Sequence, residues 1–305
     1  MSSICSICGT AKPERQKTCS RHCAGRLRSE AGLNLAAFDC WTPEMAYALG
    51  LFYTDGCLGH SSRGCGSWVI RFDNIDLPTV EWWHAFLGAH TRIGTPKKPR
   101  HQRPYWSVVS SDRLGDRLFL LGAVPRKSWA EMHLPEMPEK CLPHFVRGLV
   151  DGDGTVVINR HSRCRGGHNL VVSITSNSLT FRQELRSLFE RLGWSVSGGR
   201  ISVNLRGASA ERFCQWIYET SGPAMARKKQ VWLDWQERRK EFGGLVRDVD
   251  RYAHRRGLRS QPWHALVGTQ PDTKIARLTG KSLKQVWRVR QKLDLPVFVP
   301  TKGAA

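Results

Sequence analysis

The pattern of apolar and polar positions in this 305-residue chain occurs twice. Each copy has a nearly apolar segment ending in Asp-Gly, a strand-like run, an amphipathic segment ending in glycine, and a basic segment. The copies keep one order, at offsets between 98 and 102 residues. The matching segments are 48–56 with 146–154, 68–72 with 170–174, 77–88 with 179–193, and 125–127 with 226–228. This recurrence predicts a duplication with two pseudo-symmetric halves, residues 41–135 and 141–240.

Within each half, the pattern predicts the order helix, strand pair, helix, strand pair, helix, or αββαββα. In the segment 200–206, apolar residues alternate with polar or basic ones, so one face can be buried while the other meets solvent or a ligand. In the second half we expect strands at 155–160, 169–176, 194–197 and 200–206, and a helix at 178–192. The predicted fold class is therefore α+β, with antiparallel sheets in both halves.

Two predicted helices are apolar on nearly every side and should be buried, Met45–Thr54 and Phe145–Gly152. Each carries two small residues four positions apart, which lie on one side of the helix. The small residues are Gly50 and Thr54 in the first helix, and Gly148 and Gly152 in the second. Because small residues let backbones approach closely, this spacing predicts that the two helices pack as a pair.

Each of these helices ends in an aspartate, Asp55 or Asp153, that is followed by glycine. The C-terminal end of a helix carries partial negative charge and disfavours an acid there by ~0.3–1 kcal/mol. Packing the helices as a pair would also bring the two carboxylates together, which adds to the cost. A divalent cation offsets both costs, and carboxylate oxygens suit Mg²⁺. The sequence therefore predicts a magnesium site at Asp55 and Asp153.

Two alternatives concern the same motifs. An Asp-Gly turn after a core helix accounts for either motif alone, but it explains neither the repetition nor the basic segments. A calcium-binding loop that begins at Asp151 lacks the glutamate required at its twelfth position, where the chain has Ser162.

The charge of the chain indicates a polyanionic partner. There are 47 basic and 26 acidic side chains, a formal net charge of +21, and the excess is spread over several segments. Such a balance is typical of proteins that bind nucleic acid. No run approaches the ~20 apolar residues of a membrane span, and the N-terminus has no secretory-signal pattern. Ten cysteines without an export signal favour the reducing cytoplasm.

Residues 1–30 are too short for a core of their own and contain four cysteines with the spacing of a four-thiolate zinc site. The cysteines are Cys5, Cys8, Cys19 and Cys23. His22 is a competing ligand, and free structural cysteines are the plainer alternative. The block resembles treble-clef zinc fingers, and a block this short would need the metal in order to fold.

A basic connector, residues 241–262, leads to a last block, residues 263–300, with helical periodicity. A short helix at 272–280 ends in a glycine turn, and Ser282 can cap a second helix that Pro296 ends. This arrangement resembles a helix-turn-helix, in which the second helix enters a DNA major groove.

The polar residues of this block that we expect to contact DNA are Lys281, Lys284, Gln285 and Arg288. A packing hairpin with a solvated basic face is the alternative. Trp263 and Trp287 are predicted to be core residues rather than surfaces on which bases stack.

With both Asp-Gly motifs, residues 41–240 resemble the LAGLIDADG homing endonucleases in their single-chain, two-motif form. The resemblance implies a central pair of motif helices, sheets that lie in the DNA major groove, and cuts across the minor groove that leave short 3′ overhangs. It implies that the last aspartate of each motif, Asp55 and Asp153, binds the catalytic metal. The family's earlier acid corresponds to Tyr53 in the first motif and is kept as Asp151 in the second, and neither is expected to be catalytic.

The resemblance also implies a lysine near each scissile phosphate. These positions correspond to Lys127 in the first half and to Lys228 in the second, with Lys229 as a rival for the latter. Polar residues that position water in the family correspond to Asn74 and Ser176.

Five residues of the predicted sheets are candidates for reading base edges, because arginine and asparagine pair with guanine and adenine through two hydrogen bonds. They are Arg71, Asn159, Arg160, Asn204 and Arg206. A solvated strand position is the plainer interpretation of each one alone.

Taken together, the sequence predicts a magnesium-dependent, site-specific endonuclease that cuts both strands of DNA, with a structural zinc site and a helix-turn-helix that lengthens its footprint. We expect a monomer in the host cell interior, free-standing because splice residues are absent, and encoded by a mobile element such as an intron or by a phage. One alternative is a DNA-binding regulator that has lost cutting, and the presence of both aspartates argues against it. The other is a maturase that binds intron RNA.

Overall fold

The structure is a computed structural model, and it describes residues 2–61, 67–96, 104–127, 130–160, 168–241, 262–292 and 295. The chain forms two compact units, residues 1–159 with 169–236, and residues 160–168 with 237–305. The predicted connector, residues 241–262, lies outside the described residues apart from its two end positions. No helix in the described part of the chain is long and apolar enough to cross a membrane.

The described residues form ten α-helices and nine β-strands. The helices are α1 (Arg21–Glu30), α2 (Pro43–Asp55), α3 (Leu77–Phe86), α4 (Asp112–Leu120), α5 (Leu142–Asp153), α6 (Leu179–Arg191), α7 (Ala208–Tyr218), α8 (Ala226–Glu241), α9 (Asp272–Thr279) and α10 (Leu283–Lys292). Short 3-10 helices lie at Glu139–Cys141 and Pro262–Leu266. The strands are β1 (Ser2–Ile4), β2 (Ala11–Pro13), β3 (Gly56–His60), β4 (Trp68–Asn74), β5 (Tyr105–Ser110), β6 (Gly154–Arg160), β7 (His168–Thr175), β8 (Val196–Gly198) and β9 (Ser202–Arg206).

The predicted α+β class with antiparallel sheets is confirmed, and the second half follows the predicted αββαββα order from α5 to α7. Its sheet has the strand order β6-β7-β9-β8. The first half differs, because its sheet has three strands in the order β3-β4-β5. Among the described residues, one bridge between Gly94 and Trp106 lies where the fourth strand was expected. Pro96 follows, and proline has no N–H to donate to a strand ladder.

Each sheet has a buried face and an open face, as the alternation of residues predicts. In β7, Leu170, Val172 and Ile174 are fully buried, while the residues between them are half-buried. α6 and α7 pack beside β9. Because side chains of a strand point alternately to its two faces, the polar residues of the same strands are left on the open face.

The helix pair α2 and α5 packs with the two backbones in direct contact. A methyl group added to Gly50 would collide with the Phe145 carbonyl oxygen and lie 3.0 Å from Gly148 Cα. One added to Gly148 would collide with the Tyr47 carbonyl oxygen and lie 2.8 Å from Leu51 N. The predicted close approach at the small residues is thus confirmed, and any side chain larger than hydrogen at these glycines would push the helices apart.

The second unit has a small core of its own, formed by Val267, Ile275, Val286 and Val289. α9 ends at Thr279, and Gly280, which follows it, has a left-handed backbone with φ 66°. Glycine adopts this conformation without the cost that a side chain would bring. α10 follows after a three-residue turn, so the predicted pair of short helices is present in the described residues.

The prediction for Trp287 was wrong, because this residue is 49% exposed. Trp263 is half-buried and packs against the small core of the second unit. On α10, Val286 and Val289 are the residues that face the core, and a position next to Val286 lies about 100° around the helix from it. Trp287 is therefore turned outward by the helical period.

Candidate active site

The carboxylate-bearing ends of α2 and α5 lie side by side. A methyl group added to Gly152 would collide with the Thr54 hydroxyl and lie 3.1 Å from Asp55 Oδ2. The backbone of α5 therefore passes next to the Asp55 carboxylate at the residue that precedes Asp153. Asp55 is half-buried and Asp153 is exposed. The structure thus brings the two predicted metal ligands together, one from each half of the first unit.

Both carboxylates lie where the charged form is disfavoured. Burial, followed by the negative charge of Asp153, raises the pKa of Asp55 to about 6, against the opposite effects of a hydrogen bond from Asn74 and of two lysines. Burial by the surrounding chain also raises the pKa of Asp153, although this residue keeps access to solvent. Two acids that are each costly to ionise and close to each other form a site that favours a bound cation.

Asn74 holds Asp55 in place. Its Nδ2 donates to Asp55 Oδ2 at 2.6 Å, and its own Oδ1 accepts from the backbone N–H of Asp76 at 2.8 Å. The matching residue of the second half, Ser176, accepts from Ser178 N at 3.3 Å. The two half-sites are therefore not equivalent in the hydrogen bonds that orient their carboxylates.

The ammonium group of Lys228 lies at the end of α5 and donates hydrogen bonds to its last carbonyl groups. Its Nζ donates to the carbonyl oxygens of Val150 at 2.7 Å, Asp151 at 2.7 Å, Gly152 at 3.2 Å and Gly154 at 2.7 Å. An ammonium group has three N–H donors, so these acceptors leave none over. Among the described residues, Lys229 makes no such contact through its side chain. The geometry therefore favours Lys228 over its rival.

Lys127 makes the equivalent contacts at the end of α2. Its Nζ donates to Phe52 O at 3.1 Å and also to Thr54 O. Burial lowers the pKa of Lys127 and of Lys228 to about 8, and the nearby carboxylates act in the opposite direction. Arg126, which precedes Lys127, has a left-handed backbone with φ 53°, which is costly for a residue with a side chain.

The lysine contacts add a second source of positive charge to the predicted site. The unfavourable charge at each helix end was expected to be offset by a divalent cation, and a lysine from the same half also offers positive charge to the last carbonyl groups. Cations near a helix C-terminus stabilise it. The repeated lysine, at an offset of 101, already pointed to this pairing, but only the folded chain shows that the acceptors are backbone carbonyls.

The earlier acid of the second motif lies inside the protein, where it accepts hydrogen bonds from other groups. Asp151 is fully buried, and its Oδ2 accepts from Tyr47 OH at 2.8 Å and from Met225 N at 2.7 Å. In the first half, Tyr53 OH donates to Leu121 O at 2.8 Å. Asp151 thus connects α5 to Met225 through its carboxylate, and Tyr53 connects α2 to Leu121 through its hydroxyl group.

A buried arginine that sequence reasoning missed supports the same helix. Arg147 is 1% exposed, and its guanidinium donates to Ile217 O at 2.7 Å and to Thr220 O at 3.0 Å. It also lies 5.7 Å from the centre of the Tyr47 ring. An arginine within a helix that is predicted to be buried was the signal for this role, since a buried charge needs partners.

The candidate sheet residues are distributed over strands of both halves. Arg71 donates twice to the Asp73 carboxylate, at 2.7 Å each, and lies 5.4 Å from the Trp106 ring centre. Asn204 Nδ2 donates to Ser202 Oγ at 3.1 Å. Asn159, Arg160 and Arg206 are exposed. Arg71 would therefore have to exchange an existing ion pair for any base contact.

The four cysteines of the N-terminal block converge. Their sulfur atoms all lie within 4.8 Å of one another, with Cys8 and Cys19 3.2 Å apart and Cys19 and Cys23 3.6 Å apart. Four thiolates around one zinc at ~2.3 Å would be ~3.8 Å apart. Cys23 lies in the first turn of α1, whose N-cap Ser20 accepts from Cys23 N at 3.2 Å. The observed cluster fits a four-thiolate metal site, and His22 is not part of it.

The N-terminal block is attached to the first half. Arg26 pairs with Asp112 at 2.8 Å, and Glu30 accepts from Ser111 Oγ at 2.8 Å. Ser111 is also the N-cap of α4, where its Oγ accepts from Leu114 N at 3.3 Å. These contacts join α1 to the start of α4.

In the second unit, the four candidate DNA contacts lie around the turn and on α10. Lys284, Gln285 and Arg288 are exposed and Lys281 is half-buried. Gln285 Oε1 accepts from both Ser282 N at 2.9 Å and Ser282 Oγ at 3.1 Å. This arrangement caps the helix, so the side-chain oxygen of Gln285 already has a structural role.

One family model matches part of the second half. Residues 141–202 match the family model described as "LAGLIDADG-like domain". No curated protein matches the chain.

Solved structures that are similar in shape include three LAGLIDADG proteins. The I-SmaMI homing endonuclease bound to cleaved DNA is 15% identical, with 65% of this chain and 88% of that chain covered and a TM-score of 0.43. The I-AabMI meganuclease bound to uncleaved DNA is 13% identical, covering 65% and 90%, with a TM-score of 0.45. The I-LtrWI homing endonuclease bound to target DNA is 13% identical, covering 68% and 90%, with a TM-score of 0.41. The segment that matches the family model, residues 141–202, contains α5 and the Asp153 motif.

Proposed function

We propose that this protein is a site-specific DNA endonuclease of the homing type, which cuts both strands of a duplex. The observation that supports this best is the pair of carboxylates, Asp55 and Asp153, at equivalent helix ends of two pseudo-symmetric halves. A duplex has two antiparallel strands, so a site built from two pseudo-symmetric halves matches two scissile phosphates. The net charge of +21 favours a polyanionic substrate.

The donor set fits a divalent cation, since it offers carboxylate oxygens whose own charge is disfavoured in its absence. Asp55 and Asp153 would hold Mg²⁺, which when bound activates water and offsets charge on the departing 3′ oxygen. Asn74 keeps the Asp55 carboxylate oriented through its 2.6 Å hydrogen bond. The family resemblance adds that the cuts leave short 3′ overhangs.

Lys127 and Lys228 have two candidate roles. The resemblance places them at the scissile phosphates, but each ammonium group donates to carbonyl oxygens at a helix end. We assign both a positioning role, in which each lysine fixes the carboxylate-bearing helix end of its own half and brings positive charge near the attacked phosphate. Direct contact with a phosphate would require each lysine to give up carbonyl partners.

DNA recognition would be divided among several surfaces. The open faces of the two sheets carry Arg71, Asn159, Asn204 and Arg206, with Arg160 at the end of β6, and we propose that they lie in the major groove. The cysteine cluster would hold a structural Zn²⁺ and give the N-terminal block a treble-clef-like fold. The second unit would act as a helix-turn-helix that contacts DNA through Lys281, Lys284, Gln285 and Arg288. We propose that the protein works as a monomer in the interior of a host cell, on DNA of a mobile-element insertion site.

The test is cleavage of a randomised duplex library by the full-length protein, with Mg²⁺ or with EDTA, followed by sequencing of the new ends. We expect one preferred sequence, short 3′ overhangs, and loss of cleavage in Asp153→Asn. Asp234→Asn is the matched control, because Asp234 is an exposed acid on α8. Binding to one sequence without cleavage would indicate a regulator instead, and preference for structured intron RNA would indicate a maturase.

A further inference from the structure

The outward side of α10 carries an apolar side chain between two cations. Trp287 and Leu283 are each 49% exposed, and Lys284 and Arg288 are exposed as well. At about 100° per residue, positions 284, 287 and 288 lie on one side of the helix, away from the side that packs into the core. A lone exposed tryptophan is not unusual, but this one lies within a basic stripe on the second helix after a tight turn.

The charge around this stripe is of one sign. Residues 262–292 contain seven basic side chains and one acid, Asp272. The Asp272 carboxylate accepts from Arg290 Nε at 2.8 Å, and both groups are largely buried. Asp272, Leu283, Lys284 and Trp287 line a shallow depression on this surface. Because its acid is already neutralised by Arg290, the surface complements a strongly negative partner.

Two side chains of α10 beside these cations could contact a base, Gln285 and Trp287. The side-chain oxygen of Gln285 is used twice in capping α10, so its capacity for paired contacts with adenine is reduced. Trp287 makes no hydrogen bond among the described residues and presents a flat apolar surface. In a major groove, the apolar group on a base edge is the C5 methyl group of thymine.

We propose that Trp287, flanked by Lys284 and Arg288, packs against thymine methyl groups in the major groove of duplex DNA. The two cations pair with phosphates and fix the position of α10, while the indole ring supplies preference for thymine. This inference rests on the DNA-binding function proposed above and names the base for which the second unit selects.

The experiment uses the full-length protein in EDTA, so that binding is measured without cleavage. A duplex selected from a random library is remade with uracil in place of each thymine in turn, which removes only the methyl group. For the unchanged protein, one or two replacements should weaken binding about fourfold, the effect of one buried methyl-sized group. Trp287→Ala should bind the thymine and uracil duplexes equally at those positions, and Trp287→Phe should keep part of the preference.

Leu278→Ala is the matched control, because Leu278 is 61% exposed in the same unit but lies on α9. It should keep the full thymine preference. If the protein selects DNA but Trp287→Ala keeps the same uracil penalties, the inference is wrong and the DNA-binding function stands. If no duplex is selected, both fail. If Trp287→Ala turns an oligomer into a monomer and leaves the thymine preference intact, the stripe joins copies of the chain and the inference is wrong.

Discussion

Replacing Asp55 by asparagine should stabilise the metal-free protein while it abolishes cleavage. The pKa of Asp55 is raised from 3.8 to about 6 in the folded state, so folding favours the protonated carboxyl group. The contribution of Asp55 to the free energy of unfolding is therefore greatest below about pH 4 and is lost as the pH rises to about 6 and above, where the unfolded chain has already lost this proton. Asparagine is neutral throughout and avoids this loss.

The size of the effect follows from the shift. About two pKa units correspond to roughly 3 kcal/mol at most. In the variant, Asn74 would donate to a neutral amide oxygen instead of a carboxylate. This weaker hydrogen bond lowers the gain in stability by about 1 kcal/mol. Because Asp55 is half-buried and shares its surroundings with Asp153, we expect a net gain of about 1–2 kcal/mol at pH 7 that disappears near pH 4.

The assay is denaturant unfolding of the full-length protein in EDTA between pH 4 and pH 8, for the unchanged protein, Asp55→Asn and the control Asp234→Asn. The control should stay within about 0.5 kcal/mol at every pH. Adding Mg²⁺ at ten times its dissociation constant should stabilise the unchanged protein by about 1.4 kcal/mol and the variant by less. Asp55→Asn being less stable than the unchanged protein at pH 7 in EDTA, with no dependence on pH, would refute the reasoning.

Three further predictions concern packing and metal. Lys228→Met should lower the free energy of unfolding by about 2–4 kcal/mol and reduce cleavage, because it leaves buried carbonyl groups without a donor. The control Lys229→Met should have little effect on urea unfolding. Equal effects of the two changes would contradict the role assigned to Lys228. Gly148→Ala should cost about 1–3 kcal/mol by forcing α2 and α5 apart, while Gly25→Ala, where a methyl group meets no atom within 4 Å, should be neutral or stabilising in the same measurement. Cys19→Ser should abolish the binding of one zinc per chain, measured by mass spectrometry, and speed hydrogen exchange in residues 2–30 but not in α2 and α5; unchanged exchange would show that the block folds without metal.

The helix pair was predictable from the sequence because its signals are local and repeated. In α2 and α5, small residues four positions apart predicted close packing, and the nearly apolar surface predicted burial. The terminal aspartates predicted that two carboxylates would lie at the paired helix ends. The strands of the second half were also well predicted, because the segment 155–160 is rich in β-branched residues and the segment 200–206 alternates apolar with polar or basic side chains. In the first half, Pro96 interrupts the pattern, and a single bridge replaces a strand in the described residues.

The side-chain contacts and exposures that could not be predicted depend on which groups the fold brings together. Lys228 and Lys229 are neighbours of the same type, and only the direction of α8 decides that Lys228 reaches the end of α5. Trp287 has the composition of a core residue, but the helical period turns it outward. The partners of Arg147 are carbonyl groups some 70 residues away in sequence, and no local pattern encodes such a contact.

The charges at the paired helix ends explain why binding a metal ion and a phosphate would need both halves. Asp55 and Asp153 bring two negative charges, and each helix end adds roughly half a negative charge. Lys127 and Lys228 bring two positive charges, so the metal-free site holds roughly one negative charge more than positive. A divalent cation would then leave the site with roughly one positive charge, which attracts the phosphodiester groups of the two strands. A single half, with one aspartate, one lysine and one helix end, would keep only about half of that attraction. We therefore infer that metal affinity and phosphate affinity are properties of the helix pair, and that loosening the Gly50–Gly148 contact should weaken both together.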